Sequence, residues 1–107
     1  MALFEVDDLW FSWDDKKSER NFRIRGFNFE AAVDAFFDEY AEFSRNMEWK
    51  GEERYQVVGS VPNLGVIVVI FSIWYFEETD EKVHRIISAR QAEPPERKRY
   101  LSRFSRI

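Results

Sequence analysis

The chain has no cysteine and only one histidine, four glycines and three prolines in 107 residues. The lack of cysteine excludes disulfides, thiolate metal sites and cysteine nucleophiles together. A lone histidine, His84, excludes histidine-rich metal centres and paired-histidine nucleases. The glycines are scattered, so no phosphate-cradling loop is present. The longest apolar run, Val66 to Phe76, is far shorter than the roughly 20 residues of a membrane helix. Residues Met1 to Asp8 lack the basic-then-apolar layout of a secretory signal. A soluble, cytoplasmic chain with no membrane partner is expected. Without a linker, repeat or low-complexity tract, residues 1–107 read as one domain, with 1–9 as an N-terminal extension.

What is present is aromatic and unevenly charged. Eleven Phe and four Trp are enough for a normal core, and the surplus suits a partner-binding surface. From Lys82 to Ile107 eight Lys/Arg face two acids, a local +6 in a chain of net −4. An acidic protein with a basic end can still present an anion-binding face, because local field steers a ligand.

The pattern predicts an α+β fold: two N-terminal helices, an antiparallel sheet and a C-terminal helix. Asp14-Asp15 caps a first helix over 15–23 that stops at Gly26. Asp7-Asp8 and Asp14-Asp15 are read as caps ahead of any cation site. Asn28 caps a second, whose Phe29, Ala32, Val33, Phe36, Phe37 and Tyr40 form one apolar stripe. Strands are expected over 41–47, 54–60, 66–76 and 82–90, with a turn at Pro62-Asn63-Leu64-Gly65. Short connections favour antiparallel pairing. Pro94-Pro95 open the last helix, on which Tyr100, Leu101 and Phe104 dock and Lys98, Arg99, Arg103 and Arg106 stay wet.

The remaining chemistry belongs to arginine, lysine and tyrosine. Cleavage of RNA by its own 2′-hydroxyl needs proton transfer and positive charge on the transition state, and arginine's fork meets two phosphate oxygens. Arg54, Arg85, Arg90, Lys17, Arg25 and Tyr100 form such a set if the fold gathers them. Each also has a structural use. Arg54 follows Glu52-Glu53 and can pair with an acid. Arg85 and Arg90 have opposite strand parity, and either can tie the last helix through Glu93 or Glu96. By the same parity His84 shares a side with Ile86 and Arg90. Asn21 can bond backbone at a helix end.

Four blocks carry a family likeness. They are Phe11-Ser12-Trp13-Asp14 with Lys17, Asn21, Gly26-Phe27 and Phe29-Glu30-Ala31-Ala32; Gly51-Glu52-Glu53-Arg54-Tyr55, with Gly59 ending the strand; Arg85-Ile86-Ile87-Ser88-Ala89-Arg90; and Glu96-Arg97 with Tyr100. Their order resembles the BrnT toxins, the DUF497 group. That resemblance implies a compact fold related to RelE-type ribonuclease toxins, and a type II toxin that cleaves RNA without metal or organic cofactor and halts translation. It implies a ribbon-helix-helix antitoxin as partner, with DNA contacted only through that partner. Lys17, Asn21, Arg54, Arg85 and Arg90 occupy its motif positions. Arg54, Arg85 and Arg90 are the expected catalytic cations, and Lys17, Asn21, Arg25, Arg97 and Tyr100 the expected RNA contacts. Family members commonly carry Lys-His before the glycine, where this chain has Ile24-Arg25. The alternative is therefore a binding module of the same fold, without catalysis, whose Trp10, Trp49 and Trp74 anchor a protein partner or corepressor.

Overall fold

The computed structural model describes residues 2–104. Six strands form one sheet in the order β1-β2-β6-β5-β4-β3: β1 Ala2–Val6, β2 Leu9–Trp13, β3 Glu42–Arg45, β4 Tyr55–Val61, β5 Gly65–Tyr75 and β6 Lys82–Gln91. Three helices complete the fold: α1 Asp15–Arg25, α2 Phe29–Ala32 and α3 Pro94–Ser102. The α+β class stands, but the layout differs from expectation in three places.

First, a hairpin precedes the helices. Ala2–Val6, read from sequence as part of an extension, pairs antiparallel with β2. The turn between them places Asp7 at φ 46° and Asp8 at φ 70°, the paired left-handed conformation of a type I′ turn. Second, the sheet is mixed. β2 runs parallel to β6, pairing Trp10 to Ser12 with Val83 to Arg85, while β3 to β6 are antiparallel neighbours. Third, the second helix is only one turn long and tightens into a 3₁₀ segment, Val33–Phe37. It ends at Asp38, whose backbone is extended (φ −66°, ψ 124°), so Tyr40 lies beyond the stripe.

The local signals otherwise act as expected. Asp14 caps α1 by accepting from the backbone N–H groups of Lys16 and Lys17, and Gly26 ends it at φ 88°. Asn28 accepts from Ala31 N–H to start α2. Glu93 and Glu96 close a reciprocal capping box ahead of the two prolines of α3.

The sheet has two faces with separate cores. On the first, α2 and the 3₁₀ segment cover Phe11, Trp13, Val57, Ile67, Val69, Phe71, Ile86 and Ala89. On the second, α3 covers Val58, Val66 and Val68 through Tyr100. Tyr100 is buried, Phe104 just past α3 packs its ring on Tyr40 and Tyr100 while staying 38% exposed, and Leu101 is exposed. Arg106 lies outside the described residues.

Register in β6 slips by one residue: Ile70 faces Ser88 but Phe71 faces Ile86, leaving Ile87 as a bulge. Parity therefore inverts within β6. Ile86 and Ala89 both enter the first core, and Arg85 and Arg90 both project to the second face. His84 shares its face with Ile86 but not with Arg90.

Gly59 does not end its strand, which runs on to Val61. It lets the 3₁₀ segment lie against the sheet: a β carbon there would stand 2.5 Å from the Ala35 carbonyl oxygen. That atom is backbone and cannot swing aside. Gly59→Ala should cost about 1–3 kcal/mol and lower Tm by roughly 5–15 °C. Calorimetry of the variant checks this, and a shift under 2 °C would show that the close approach bears little on stability.

Candidate functional site

α3 is short and covers only one end of the second face. The remainder of that face is open, and its centre is a cross-strand row. Ser72 on β5 faces Arg85 on β6, which in turn faces Ser12 on β2. Continuing the β4–β5 register places Arg54, immediately before β4, on the other side of Ser72. The row thus reads Arg54, Ser72, Arg85, Ser12 across neighbouring strands about 4.8 Å apart. Two arginines thus flank one small hydroxyl.

The second arginine is held in place. Arg85 donates from Nη1 to Ser12 Oγ at 2.8 Å and lies over the Trp74 ring at 4.8 Å. Arg54 stands over Trp49 at 5.8 Å, with a Glu52 carboxylate 3.7 Å from its Nε. Trp49 itself sits on the β3–β4 hairpin tip, where Lys50 and Gly51 both take positive φ. Both rings remain substantially exposed, Trp49 at 57% and Trp74 at 39%.

Arg54 Nε and Ser72 Oγ are the buried side-chain polar atoms without a hydrogen-bond partner among the described residues. They are neighbours in this one row. Buried polar atoms normally find partners, and leaving one unmade costs about 1–3 kcal/mol. Both atoms are closed to solvent, so what the row can offer an anion is the outer guanidinium nitrogens of Arg54 and Arg85.

Beside the row, α1 adds charge. Lys17, Asn21 and Arg25 line one hollow of about 280 Å³ together with Arg20, Ile87 and Ser88. Asp14 joins the two regions. Its carboxyl is held below the ordinary range first by the backbone N–H groups of Lys17 and Lys16, and further by the charges of Lys17 and Arg85. Within this hollow Asn21 is buried and donates to the Phe27 carbonyl at 2.8 Å. Arg25 donates to the Ala89 carbonyl at 2.8 Å, on the β6 edge beyond the reach of β2. Ile24 is exposed.

The other residues singled out from sequence lie elsewhere. Arg90 shares the face of Arg85 but grips Glu96 through both nitrogens, at 2.6 and 2.9 Å, and so fastens α3. Tyr100 is buried and its hydroxyl donates to Asp38, which also accepts from Ser60 and Tyr40 N–H groups. Burial and that carboxylate push the phenol's pKa well above its usual value, so it stays protonated. Arg97 is exposed on α3, lining a hollow with Lys98 and Leu101. His84 lies on the opposite face against Phe11, Phe36 and Phe71, with Nδ1 3.0 Å from the Trp10 carbonyl. Burial lowers its pKa.

Neither Ser72 nor Ser12 was expected as a site residue. Ser12 falls inside the first family-like block, and the one signal at Ser72 is a small hydroxyl interrupting an apolar strand, Phe71-Ser72-Ile73. No group of three or more His, Cys, Asp or Glu placed to hold a metal occurs among the described residues. No helix among them is long and apolar enough to cross a membrane.

Residues 13–96 match the family described as ribonuclease toxin, BrnT, of type II toxin-antitoxin system. The chain belongs to the BrnT family. The match takes in Arg54, Ser72, Arg85 and Arg90, whereas the β1–β2 hairpin lies almost wholly before it. Among curated proteins none matches the sequence. Membership in a type II toxin–antitoxin family implies a protein antitoxin as partner.

Acid should release α3 before the rest of this BrnT-family fold. Glu96 titrates below its ordinary 4.5, chiefly through Arg90. Burial raises Asp38, but the hydrogen bonds from Tyr100, Ser60 and Tyr40 together outweigh it and leave it below 3.8. Depressed carboxyls bind fewer protons in the folded chain, so their contribution is complete above the ordinary values and fades as pH falls through the folded ones. Hydrogen exchange should show α3 amides losing protection on acidification below about pH 4 while β5 amides keep theirs. In Asp38→Asn/Glu96→Gln the difference between α3 and β5 should no longer change with pH.

Proposed function

We propose that the open face is an RNA-cleaving site in which Arg54 and Arg85 bind one backbone phosphate. The observation that carries this is the register that sets Arg54 and Arg85 on either side of Ser72, on the part of the face that α3 leaves uncovered. Family membership supplies the substrate class. The 2′-hydroxyl attacks the adjacent phosphorus and the 5′ oxygen leaves, giving a 2′,3′-cyclic phosphate and a 5′-hydroxyl end. Negative charge grows on the non-bridging oxygens as this happens, and fixed guanidinium donors stabilise it. The reaction as written needs neither a metal nor an organic cofactor. No imidazole faces the row, so the 2′ proton passes to water and water protonates the leaving oxygen. Lys17 and Arg20 extend the positive track on one side, and Trp49 and Trp74 offer rings on which unpaired bases stack. In this reading Arg90 and Tyr100 act by holding α3, and Asn21 and Arg25 by holding α1. Cleavage of cellular RNA would halt translation in the cytoplasm until the antitoxin intervenes. The resemblance to the family supports a ribbon-helix-helix antitoxin that also carries the contact with DNA.

A second reading keeps the RNA-binding face without catalysis. It rests on Ile24-Arg25, since Ile24 is exposed and apolar and Arg25 is committed to the Ala89 carbonyl.

Purified chain in chelator should cleave a mixed-sequence RNA. Arg54→Lys and Arg85→Lys should each lower kcat/KM on the order of 100-fold, because a point charge does not replace the planar fork. Their melting temperatures should stay within a few degrees of the parent. Cleavage undiminished in the double variant would exclude this site. Binding of RNA by folded protein with no cleavage would select the second reading. Ser72→Ala removes an unpartnered buried hydroxyl that RNA does not touch, so it should leave Tm unchanged or raised and RNA cleavage within about threefold of the parent. Measuring Tm and rate on the same sample checks both halves.

A further inference from the structure

On the face opposite the arginine row, a groove runs between the N-terminal hairpin and helices α1 and α2. Two adjoining hollows of about 710 and 760 Å³ make it, sharing Phe4, Trp13, Asn28 and Glu30. Its floor is aromatic. Phe4 stacks on Trp13 with ring centres 4.6 Å apart, and Phe22 adds an exposed ring. Its rim is acidic. Asp15, Glu19, Glu30 and Asp34 line it against a single cation, Arg23. None of the four carboxylates has an ion-pair partner among the described residues. Exposed rings ringed by unpaired like charges are costly to leave in water and self-repelling. A cationic, amphipathic occupant relieves both.

We propose that this groove is the docking surface for a cationic amphipathic helix presented by the antitoxin. The helix lays its apolar stripe on Phe4 and Phe22, with Trp13 buried beneath Phe4, and sets Lys or Arg side chains against the rim. An acidic or neutral helix has no complement there. One wall of the groove, β1, lies before the family-matched span, and the other, α1 and α2, lies within it. The docking of an antitoxin helix rests on family membership for the existence of a protein partner, not on the arginine row being catalytic.

The probes are two synthetic 18-residue helices with the same leucine face, one carrying Lys and the other Glu on its polar face. Backbone NMR of the full chain should show the Lys helix shifting amides of β1, α1 and α2. The Glu helix should bind at least roughly tenfold more weakly. Phe22→Ser and Glu19→Gln/Glu30→Gln, all at exposed positions on the groove, should each weaken the Lys helix roughly tenfold with Tm unchanged. RNA cleavage by the same variants should be unaltered. Shifts centred on the arginine row or α3, equal binding of the two helices, or full affinity in both variants would overturn the proposal. So would concentration-dependent pairing of the chain through these amides, which would make a second copy the occupant. A wild-type chain that fails to cleave RNA would count against the catalytic reading alone, since the helix titration needs no substrate.

Discussion

The one-residue bulge at Ile87 is the constraint on which the arrangement depends. β6 is a central strand, flanked by β2 and β5, so its side chains reach both cores. Were it regular, Ile86 and Ala89 could not both enter the first core, and Arg85 and Arg90 would face opposite ways. With the bulge, the two halves of one strand do different work on one face. Arg90 fastens α3 over Val66 and Val68, and Arg85 stands beside Ser72 where no helix lies. The bulge thus divides the face into a covered end and an open end.

Charge follows the same division of surfaces. A chain of net −4 would repel a polyanion if its charges were evenly spread. Here Asp15, Glu19, Glu30 and Asp34 stand around the groove on the first face, while Arg54, Arg85, Lys17 and Arg20 stand on or beside the open second face. Several of the other cations are spent internally: Arg90 on Glu96, Arg99 and Arg103 on Glu42, and Arg25 on a carbonyl. Counting basic residues near the C-terminus therefore exaggerates the field of α3 and understates that of the sheet.

How far the sequence speaks depends on the range of each interaction. The caps of α1 and α3, the turn at Pro62-Asn63 and the four strands from β3 to β6 are written in neighbouring residues, and all stand close to their expected bounds. The N-terminal hairpin was missed because Asp-Asp occupies a turn that usually announces itself with Asn-Gly or Asp-Gly. The stripe from Phe29 to Tyr40 reads as a long helix because its periodicity is that of an α-helix. What shortens it is the flat seat at Gly59, distant in sequence. The same holds at the site. Residue types pointed to Arg54 and Arg85, but their adjacency needs a register across β4, β5 and β6 and a bulge that parity counting cannot foresee. Ser72 carries no sequence signal stronger than one hydroxyl among apolar neighbours.

The parallel pairing of β2 with β6 also fixes an order of events during synthesis. Arg85 is oriented by Ser12, 73 residues earlier in the chain, and β2 has no other inner neighbour until β6 arrives. Contacts that close so long a loop form late and slowly. Ser12, Arg85 and Ser72 therefore come into register only after β6 has been made.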